Sequence, residues 1–278
     1  MRLFDTHAHL MDARFDEDRE AVMAALPEKD IAYMLEACTE MPDAEQTLAF
    51  AHKYPFVVAA IGTHPHEAAG MEQAHLLALE RLLDDEKAVA VGEIGLDYHY
   101  DFSPREVQRK WFSEQLTLAR AKKTPVVLHV READGDALSM LRAQRDGLTG
   151  VMHCFSGSYE TAKACLDMGL YIAFGGALTF HNAKKAIEIA AKLPMDRLLI
   201  ETDCPYMTPV PHRGKRNDPS LVRLVCEKLA EIRSMDVEEV AELTLYNGLR
   251  LFGMGTLGVP PPTPRQGPLR PLEPIINT

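Results

Sequence analysis

Apolar segments of strand length alternate with segments of helical periodicity along nearly the whole chain, and this alternation most limits the folds it can adopt. Several apolar segments, including AVAVG and PVVLHV, are almost wholly apolar, which is typical of parallel strands covered on both faces. The predicted strands are Arg2–Thr6, Ile31–Glu36, Phe56–Ile61, Ala88–Glu93, Pro125–His129, Gly150–His153, Leu170–Phe174 and Leu198–Thr202. The predicted helices are Asp16–Leu26, Pro42–Lys53, Ala74–Leu83, Pro104–Lys122, Gly135–Arg145, Glu160–Met168, Ala183–Leu193, Leu221–Arg233 and Val237–Phe252. This order predicts an α/β protein.

Histidines and acids stand at the ends of five of these predicted strands, and their positions distinguish a closed barrel from an open sheet. In a (β/α)₈ barrel, the C-terminal ends of all strands meet on one face, where active sites lie. An open doubly wound sheet would not bring strands one, four, five, six and eight to one centre. A chain of 278 residues is long enough for such a barrel. We therefore predict a (β/α)₈ TIM barrel over residues 1–254, with its functional site at the C-terminal ends of the strands.

The chemistry of these strand-end residues is that of a metal site. Imidazole nitrogens and carboxylate oxygens are ligands for Zn²⁺, Mn²⁺ and similar divalent ions. Residues i and i+2 of a strand face the same way, so two of the histidines project together. Each residue alone could instead be a hydrogen-bonded core residue or a cap, so their convergence is what favours a metallohydrolase. The residues are His7, His9, Glu93, His129, His153 and Asp203.

Seven motifs in this order and spacing resemble the TatD family of metal-dependent hydrolases, a group of amidohydrolase-like metallo-TIM-barrels. They are FDTHAHLMD, GTHPH, VGEIGLDYHYD, LHVREA, HCFSG, ETDCPYMTP and HRGKRN. The resemblance covers about residues 2–254. It implies divalent-metal-dependent deoxyribonuclease activity, often 3′→5′ exonucleolytic on single strands. Some members of the family are implicated in removing D-amino acids from tRNA, so DNA and aminoacyl-tRNA are both candidate substrates.

The resemblance also implies roles for individual residues. One metal ion would bind His7, His9, Glu93 and Asp203, and a second would bind Glu93, His129 and His153. The cofactor would thus be two divalent ions (Zn, Mg or Mn) bridged by Glu93. Asp203 is the candidate general base, because it could orient the attacking water and accept its proton. Cleavage would follow a two-metal mechanism, in which a carboxylate such as Glu93 serves both ions.

Further polar residues are candidates for binding the substrate or supporting the metals. His64 and His66 in GTHPH could contact a phosphate or hold an additional metal, and Glu201 could support the metal site from behind. Arg131, Arg213 and Lys215 could neutralise phosphates, although a solvated basic loop is an equal alternative for the last two. Three aromatic residues could stack on a base, although core packing is their more common role: Tyr98, Phe155 and Tyr206.

Composition excludes some partners and indicates a compartment. The net charge of −11 argues against a wide basic face for duplex binding, but not against a small local nucleic-acid site next to bound dications. No apolar run approaches the roughly 18 residues of a membrane span, so no membrane is predicted as a partner. The five cysteines are an odd number without CxxC spacing, which predicts free thiols and a cytoplasmic location. The proline-rich segment 255–278 is predicted to be extended or disordered, with an unknown protein partner.

Two helix starts carry capping signals. Ser103 is the predicted N-cap of a helix that begins with Pro104, and Glu106 would close a capping box. Asp236 and Glu239 would form the same device before the last helix.

Two other classes of function are compatible with the sequence. A small-molecule amidohydrolase or lactonase could use the same scaffold, because a fold does not determine a substrate. A nucleic-acid or protein scaffold with a vestigial metal site is the other alternative, although every putative ligand is intact.

Overall fold

Eight parallel strands, hydrogen-bonded in chain order, form the centre of the protein in the computed structural model, which describes residues 1–255. Every neighbouring pair from the first strand to the eighth is parallel. The strands are β1 (Leu3–Ala8), β2 (Ile31–Ala37), β3 (Val57–Ile61), β4 (Ala88–Asp97), β5 (Val126–Arg131), β6 (Gly150–Met152), β7 (Tyr171–Phe174) and β8 (Leu198–Ile200).

The segment after β8 returns to β1 and nearly closes the sheet. The backbone N–H of His9 donates to the carbonyl of Cys204 over 2.9 Å, and the N–H of Asp203 donates to the carbonyl of His7 over 2.9 Å. Ala8 and Cys204 form a parallel bridge at the same seam. The predicted (β/α)₈ TIM barrel is therefore confirmed.

Helices cover the outside of the barrel between successive strands. They are α1 (Arg19–Ala25), α2 (Ala44–Lys53), α3 (Gln73–Leu82), α4 (Arg105–Lys122), α5 (Asp134–Ala143), α6 (Tyr159–Asp167), α7 (Lys184–Lys192), α8 (Val222–Arg233) and α9 (Val237–Leu251). The larger core cluster lies between these helices and the strands. A second cluster takes side chains from all eight strands, among them Phe4, Val127 and Leu199, together with Leu245 and Leu249 of α9. Alternation along each strand separates these two layers, so the barrel interior is a packed core.

The strand β4 runs four residues beyond its predicted end at Glu93. Its pairing with β5 is irregular between Val91 and Ile94 and then continues to Asp97, opposite Arg131. Gly95 permits this continuation: its φ is +150°, and a Cβ there would lie 1.8 Å from the His129 carbonyl oxygen. Only a residue without a Cβ allows so close an approach of two backbones.

The predicted capping box at the start of α4 is wrong. The helix begins at Arg105, with Pro104 as the N-cap. The Ser103 hydroxyl instead donates to the His66 carbonyl over 2.7 Å and accepts from the backbone N–H of Ala69 over 2.9 Å. Tertiary partners in the loop after β3 thus replace the local cap. At the last helix, Asp236 is the N-cap, as predicted, and it accepts from the backbone N–H of Glu238.

Other sequence predictions have different outcomes. All five cysteines fall within residues 1–255 and are free thiols, as predicted. In that same part of the chain, no helix is long and apolar enough to cross a bilayer. The proline-rich segment lies outside the described residues apart from its first residue, Gly255. The predicted domain boundary at residue 254 stays a prediction.

Candidate metal centre

The structure brings all six predicted ligands together at the C-terminal ends of the strands. His7 lies near the end of β1 and His9 just after it, whereas His153 follows β6 directly and Asp203 follows β8. His129 lies within β5. Glu93 lies inside β4 rather than at its end, because that strand is longer than predicted. Three overlapping groups among these residues and His64 place their ligand atoms within 4.8 Å of one another.

The first group, as we call His7, His9, Glu93 and Asp203, has the spacing expected of ligands around one ion. The Nε2 atom of His7 lies 3.0 Å from His9 Nε2, 3.2 Å from Glu93 Oε2 and 3.8 Å from Asp203 Oδ1. His9 Nε2 lies 3.6 Å from the same Glu93 oxygen and 3.5 Å from the same Asp203 oxygen. Ligands at 2.0–2.1 Å from a tetrahedral zinc ion are about 3.3 Å apart. These four side chains can therefore hold a divalent cation.

Hydrogen bonding fixes the tautomer of His9. Its Nδ1 lies 3.1 Å from the Ala37 carbonyl oxygen, which can only accept, so Nδ1 carries the hydrogen. In the neutral ring, the Nε2 lone pair then faces the first group. An outer hydrogen bond of this kind is what orients metal-binding histidines.

His129 and His153 lie around the other oxygen of Glu93, and we call these three residues the second group. Oε1 lies 2.7 Å from His153 Nε2 and 2.9 Å from His129 Nδ1, and these two nitrogens are 3.3 Å apart. The rings of His7 and His153 stack with centroids 4.0 Å apart, which places the two groups side by side. Glu93 thus directs one oxygen at each group, so its carboxylate is positioned to bridge two cations.

Asp97, which the sequence analysis did not select, orients the second group. Its Oδ2 accepts from His129 Nε2 over 3.0 Å and from His66 Nε2 over 2.9 Å. Its Oδ1 accepts from the backbone N–H groups of His99 and Tyr100. With Nε2 of His129 committed as a donor, the lone pair on Nδ1 is directed at the Glu93 oxygen. The feature of the sequence that could have identified Asp97 is its position four residues after Glu93 in GEIGLD.

Two other buried acids hold the surrounding backbone. Glu201 Oε1 accepts from the backbone N–H of Cys154 over 2.6 Å and lies 3.5 Å from His153 Nδ1, so it stands behind that histidine. Glu36 accepts from the N–H groups of Leu10 and Met11 over 2.9 Å each, and thereby fixes the turn after His9. Burial raises the pKa of Glu36 to about 7.

Burial and neighbouring charges shift the pKa values of the site in opposite directions. Burial by itself raises the pKa of Glu93, but the neighbouring His153, His7 and His64 hold it well below its ordinary value. The same holds for Asp203: burial raises its pKa, but the hydrogen bond from His9 and the nearby His153 and His7 together lower it below its ordinary value. Burial lowers the pKa of His9, yet the Asp203 and Glu93 carboxylates raise it to about 9. Acidic and basic groups therefore stabilise each other's charged forms, and cations would displace protons from the same lone pairs.

The structure separates the roles open to the histidines of GTHPH. His64 is buried, and its Nε2 lies 3.6 Å from Glu93 Oε1. Its Nδ1 accepts from the backbone N–H of His66 over 3.2 Å, so Nε2 carries the hydrogen in the neutral ring. This arrangement favours a hydrogen-bond donor at His64 over a metal ligand. His66 is directed at Asp97 instead of Glu93.

The candidate substrate residues are less closely tied to the centre. The Arg131 guanidinium lies 4.8 Å from the ring centroid of Tyr100, and Arg213 lies 3.7 Å from that of Phe180. Lys215 is exposed. Within residues 1–255, none of these three cations forms an ion pair or a direct hydrogen bond with the metal-site side chains.

The aromatic candidates differ in accessibility. Phe155 is a core residue that packs against Phe174, so a stacking role for it is wrong. The Tyr98 hydroxyl donates to Asp136, and its ring lies under Arg105. Tyr206 is 47% exposed beside His9 and can still meet a ligand.

Comparison with known proteins agrees with this geometry. The family model described as TatD related DNase matches residues 4–253. The chain belongs to the TatD family. YabD of Bacillus subtilis (strain 168), described as an uncharacterized metal-dependent hydrolase, is 43% identical over 251 residues, which cover 90% of this chain and 98% of YabD. The TatD protein of Salmonella typhimurium (strain LT2), named a 3′-5′ ssDNA/RNA exonuclease, is 33% identical and covers 90% of this chain and 98% of its own length.

A solved structure shows the same barrel. The crystal structure of YJJV, a TatD homolog from Escherichia coli K12, superposes with a TM-score of 0.85 at 33% identity, covering 91% of this chain and 98% of that one. This TatD-family chain is thus a metal-dependent hydrolase by family.

Proposed function

We propose that this protein is a two-metal nuclease that hydrolyses phosphodiester bonds of single-stranded DNA, releasing nucleotides from the 3′ end. The Salmonella relative's name supports the substrate and polarity, and the name of the family model supports DNA. The cluster of histidines and acids supports the requirement for metal. Zn, Mg or Mn would each fit a site of nitrogen and oxygen donors.

The observation that carries the proposal is the division of the Glu93 carboxylate between two groups of ligands. Oε2 faces His7 and His9, and Oε1 faces His129 and His153. We assign His7, His9, Glu93 and Asp203 to one ion, and Glu93, His129 and His153 to the other. When bound, two such ions would supply Lewis-acid polarisation of the phosphoryl group and activation of water.

Accessibility favours Asp203 over Glu93 as the base. The Glu93 side chain is 3% exposed, whereas that of Asp203 is 15% exposed. Of the two carboxylates, Asp203 is therefore the more accessible to a water molecule that enters from the open face of the barrel. Its lowered pKa keeps it ionised at neutral pH, as a proton acceptor must be. We therefore assign the attacking water's proton to an Asp203 carboxylate oxygen.

Positively charged and N–H groups would hold the substrate. His64 Nε2 would donate to a phosphate oxygen, since its hydrogen points into the site. Arg131 would neutralise a phosphate at the edge of β5. Arg213 and Lys215 would neutralise other phosphates of the bound DNA strand. The role of Glu201 would be to hold His153.

The test combines metal analysis with a panel of substrates. Metal content of the purified protein is measured first, and then hydrolysis of single-stranded DNA labelled at the 5′ or the 3′ end. Release of single labelled nucleotides at once from 3′-labelled strands, and a ladder from 5′-labelled strands, is the expected result. Duplex DNA and single-stranded RNA serve as comparisons.

Other substrates in the same panel decide against the proposal. Faster turnover of a D-aminoacyl-tRNA would identify a deacylase, and faster turnover of a lactone or dipeptide would identify a small-molecule amidohydrolase. Absence of both metal and turnover would identify a scaffold with a vestigial site. A cytoplasmic location and the proline-rich segment's partner stay predictions.

A further inference from the structure

Two large aromatic side chains are exposed next to each other on the loop between β4 and α4. Phe102 is 67% exposed and Tyr100 is 47% exposed. Their rings stack with centroids 5.2 Å apart and an interplanar angle of 22°. Single exposed apolar residues are ordinary, but adjoining exposed rings mark surfaces that contact a ligand. We call Tyr100 and Phe102 the aromatic platform.

The loop that carries the platform is held by buried hydrogen bonds at both ends. The Gln108 amide donates to the carbonyls of Asp97 and Ser103 over 3.0 and 2.8 Å. Asp97 Oδ1 accepts from the backbone N–H of Tyr100 over 2.8 Å. Ser103 joins the loop to the segment after β3. The backbone that carries the two rings is therefore held in place before a ligand binds, which would lower the entropic cost of binding.

The platform is continuous with the candidate metal centre through His66. The His66 ring meets Phe102 edge-on at 4.8 Å and Tyr100 at 5.4 Å between centroids. The same His66 shares the Asp97 carboxylate with His129, whose other nitrogen faces Glu93. The His66 ring and the Asp97 carboxylate thus connect the platform to His129 of the second group.

A cation stands beside the platform. The Arg131 guanidinium lies over the Tyr100 ring, 4.8 Å from its centroid, and it takes part in none of the ion pairs of residues 1–255. An aromatic face next to an uncommitted guanidinium, both bordering a site for phosphodiester hydrolysis, matches a nucleotide: the base stacks and a phosphate meets the arginine.

We propose that the aromatic platform binds an unpaired nucleobase next to the scissile phosphate, with Phe102 as the principal stacking residue. This inference rests on the proposed nuclease function and specifies how the strand is held. Stacking on a ring is tolerant of sequence, because every base has a π-face. A base within a duplex has both faces and its pairing edge engaged, so the platform favours single-stranded ends.

The test measures binding of metal-loaded protein to oligonucleotides with phosphorothioate linkages, which resist hydrolysis. Each oligonucleotide carries 2-aminopurine or an abasic residue at the 3′-terminal or the penultimate position. We expect the base to strengthen binding over the abasic residue by about 5- to 100-fold at one of these positions, corresponding to stacking of one base. Stacking also quenches the fluorescence of 2-aminopurine.

The variants separate stacking from general apolar contact. Phe102→Ala should remove most of the base-to-abasic ratio and the quenching, Phe102→Leu should restore little, and Phe102→Trp should restore both. Leu77→Ala on α3, which removes another exposed apolar side chain (55% exposed), is the matched control and should change neither.

Each outcome bears on one of the two proposals. If the wild type hydrolyses single-stranded DNA but Phe102→Ala keeps the full ratio and quenching, the platform is not a base site and only this inference fails. If the wild type hydrolyses no nucleic acid yet binds with a ratio that depends on Phe102, the base site stands and the nuclease function fails. Binding of neither oligonucleotide by a protein that hydrolyses single-stranded DNA overturns only the base site, and the same result with a protein that hydrolyses no nucleic acid overturns both.

Discussion

Replacing Asp97 by Asn tests whether that carboxylate orients the second ligand group. Asp97 is fully buried and accepts four hydrogen bonds, two from the imidazoles of His129 and His66 and two from the backbone of His99 and Tyr100. Asn has the same shape but offers one oxygen and one NH₂ group. In either orientation of the amide, the NH₂ group faces two donors.

The magnitude follows from that mismatch. Two partly buried donors lose their acceptor, and since a fully buried unsatisfied group costs about 1–3 kcal/mol, Asp97→Asn should lower the free energy of unfolding by about 2 kcal/mol, the lower end for two such groups. Loss of the partner that orients a metal-binding histidine typically weakens metal affinity by about 10- to 100-fold. His129 can also adopt the other tautomer, which would turn an N–H rather than a lone pair towards Glu93.

The assay pairs urea denaturation of metal-free protein with calorimetric titration of Zn²⁺ or Mn²⁺. Asp101→Asn is the matched control, since Asp101 lies on the same loop but, among residues 1–255, its carboxylate pairs only with Arg105 at the surface. We expect the control to keep both the wild-type denaturation midpoint and the wild-type metal affinity. An Asp97→Asn protein that matches this control in both measurements would refute the orienting role of Asp97.

Four further changes have defined outcomes. Glu93→Gln should keep the fold but reduce kcat by at least ~10³-fold, because it loses the bridging charge; near-native turnover with two bound metals would contradict the bridge. Asp203→Asn should retain oligonucleotide binding but lose single-turnover hydrolysis, and an unchanged rate would place the base elsewhere. Arg131→Ala should make the salt dependence of DNA binding shallower by about one phosphate contact, which titrations at several salt concentrations measure. Gly95→Ala should sharply lower the melting temperature, because its Cβ would lie 1.8 Å from the His129 carbonyl oxygen.

The barrel and the convergence of the candidate ligands could be predicted because their signals are local. Strands buried on both faces, such as PVVLHV, are apolar over their length, and parallel connections place all their C-terminal ends on one face. Once the barrel is chosen, residues such as His129 and Asp203 must converge. The convergence needs only strand order and direction, which the alternation supplies.

The features that could not be predicted depend on contacts between distant segments. The extension of β4 beyond Glu93 requires Gly95 to fit against the β5 backbone, which no pattern in β4 reveals. Without that extension, the sequence predicts Asp97 to be an acidic residue of a loop, and it does not define the position of the aromatic platform. The prediction of Ser103 as an N-cap was wrong for the same reason, because its hydroxyl hydrogen-bonds to the segment after β3. Local propensity is overridden where tertiary hydrogen bonds compete for the same group.

The seam that closes the barrel and the candidate metal centre are built from the same residues. The backbone of His7 and His9 receives and donates the hydrogen bonds that hold the segment after β8, while their side chains enter the site. Asp203 contributes its N–H to the seam and its carboxylate to the first group. Asp5 reinforces the closure by accepting from the hydroxyl and the backbone N–H of Thr202 over 2.6 and 2.8 Å. Side chains held in this way by strand backbone cannot move apart without opening the barrel, and such preorganisation is what the proposed two-cation site would require.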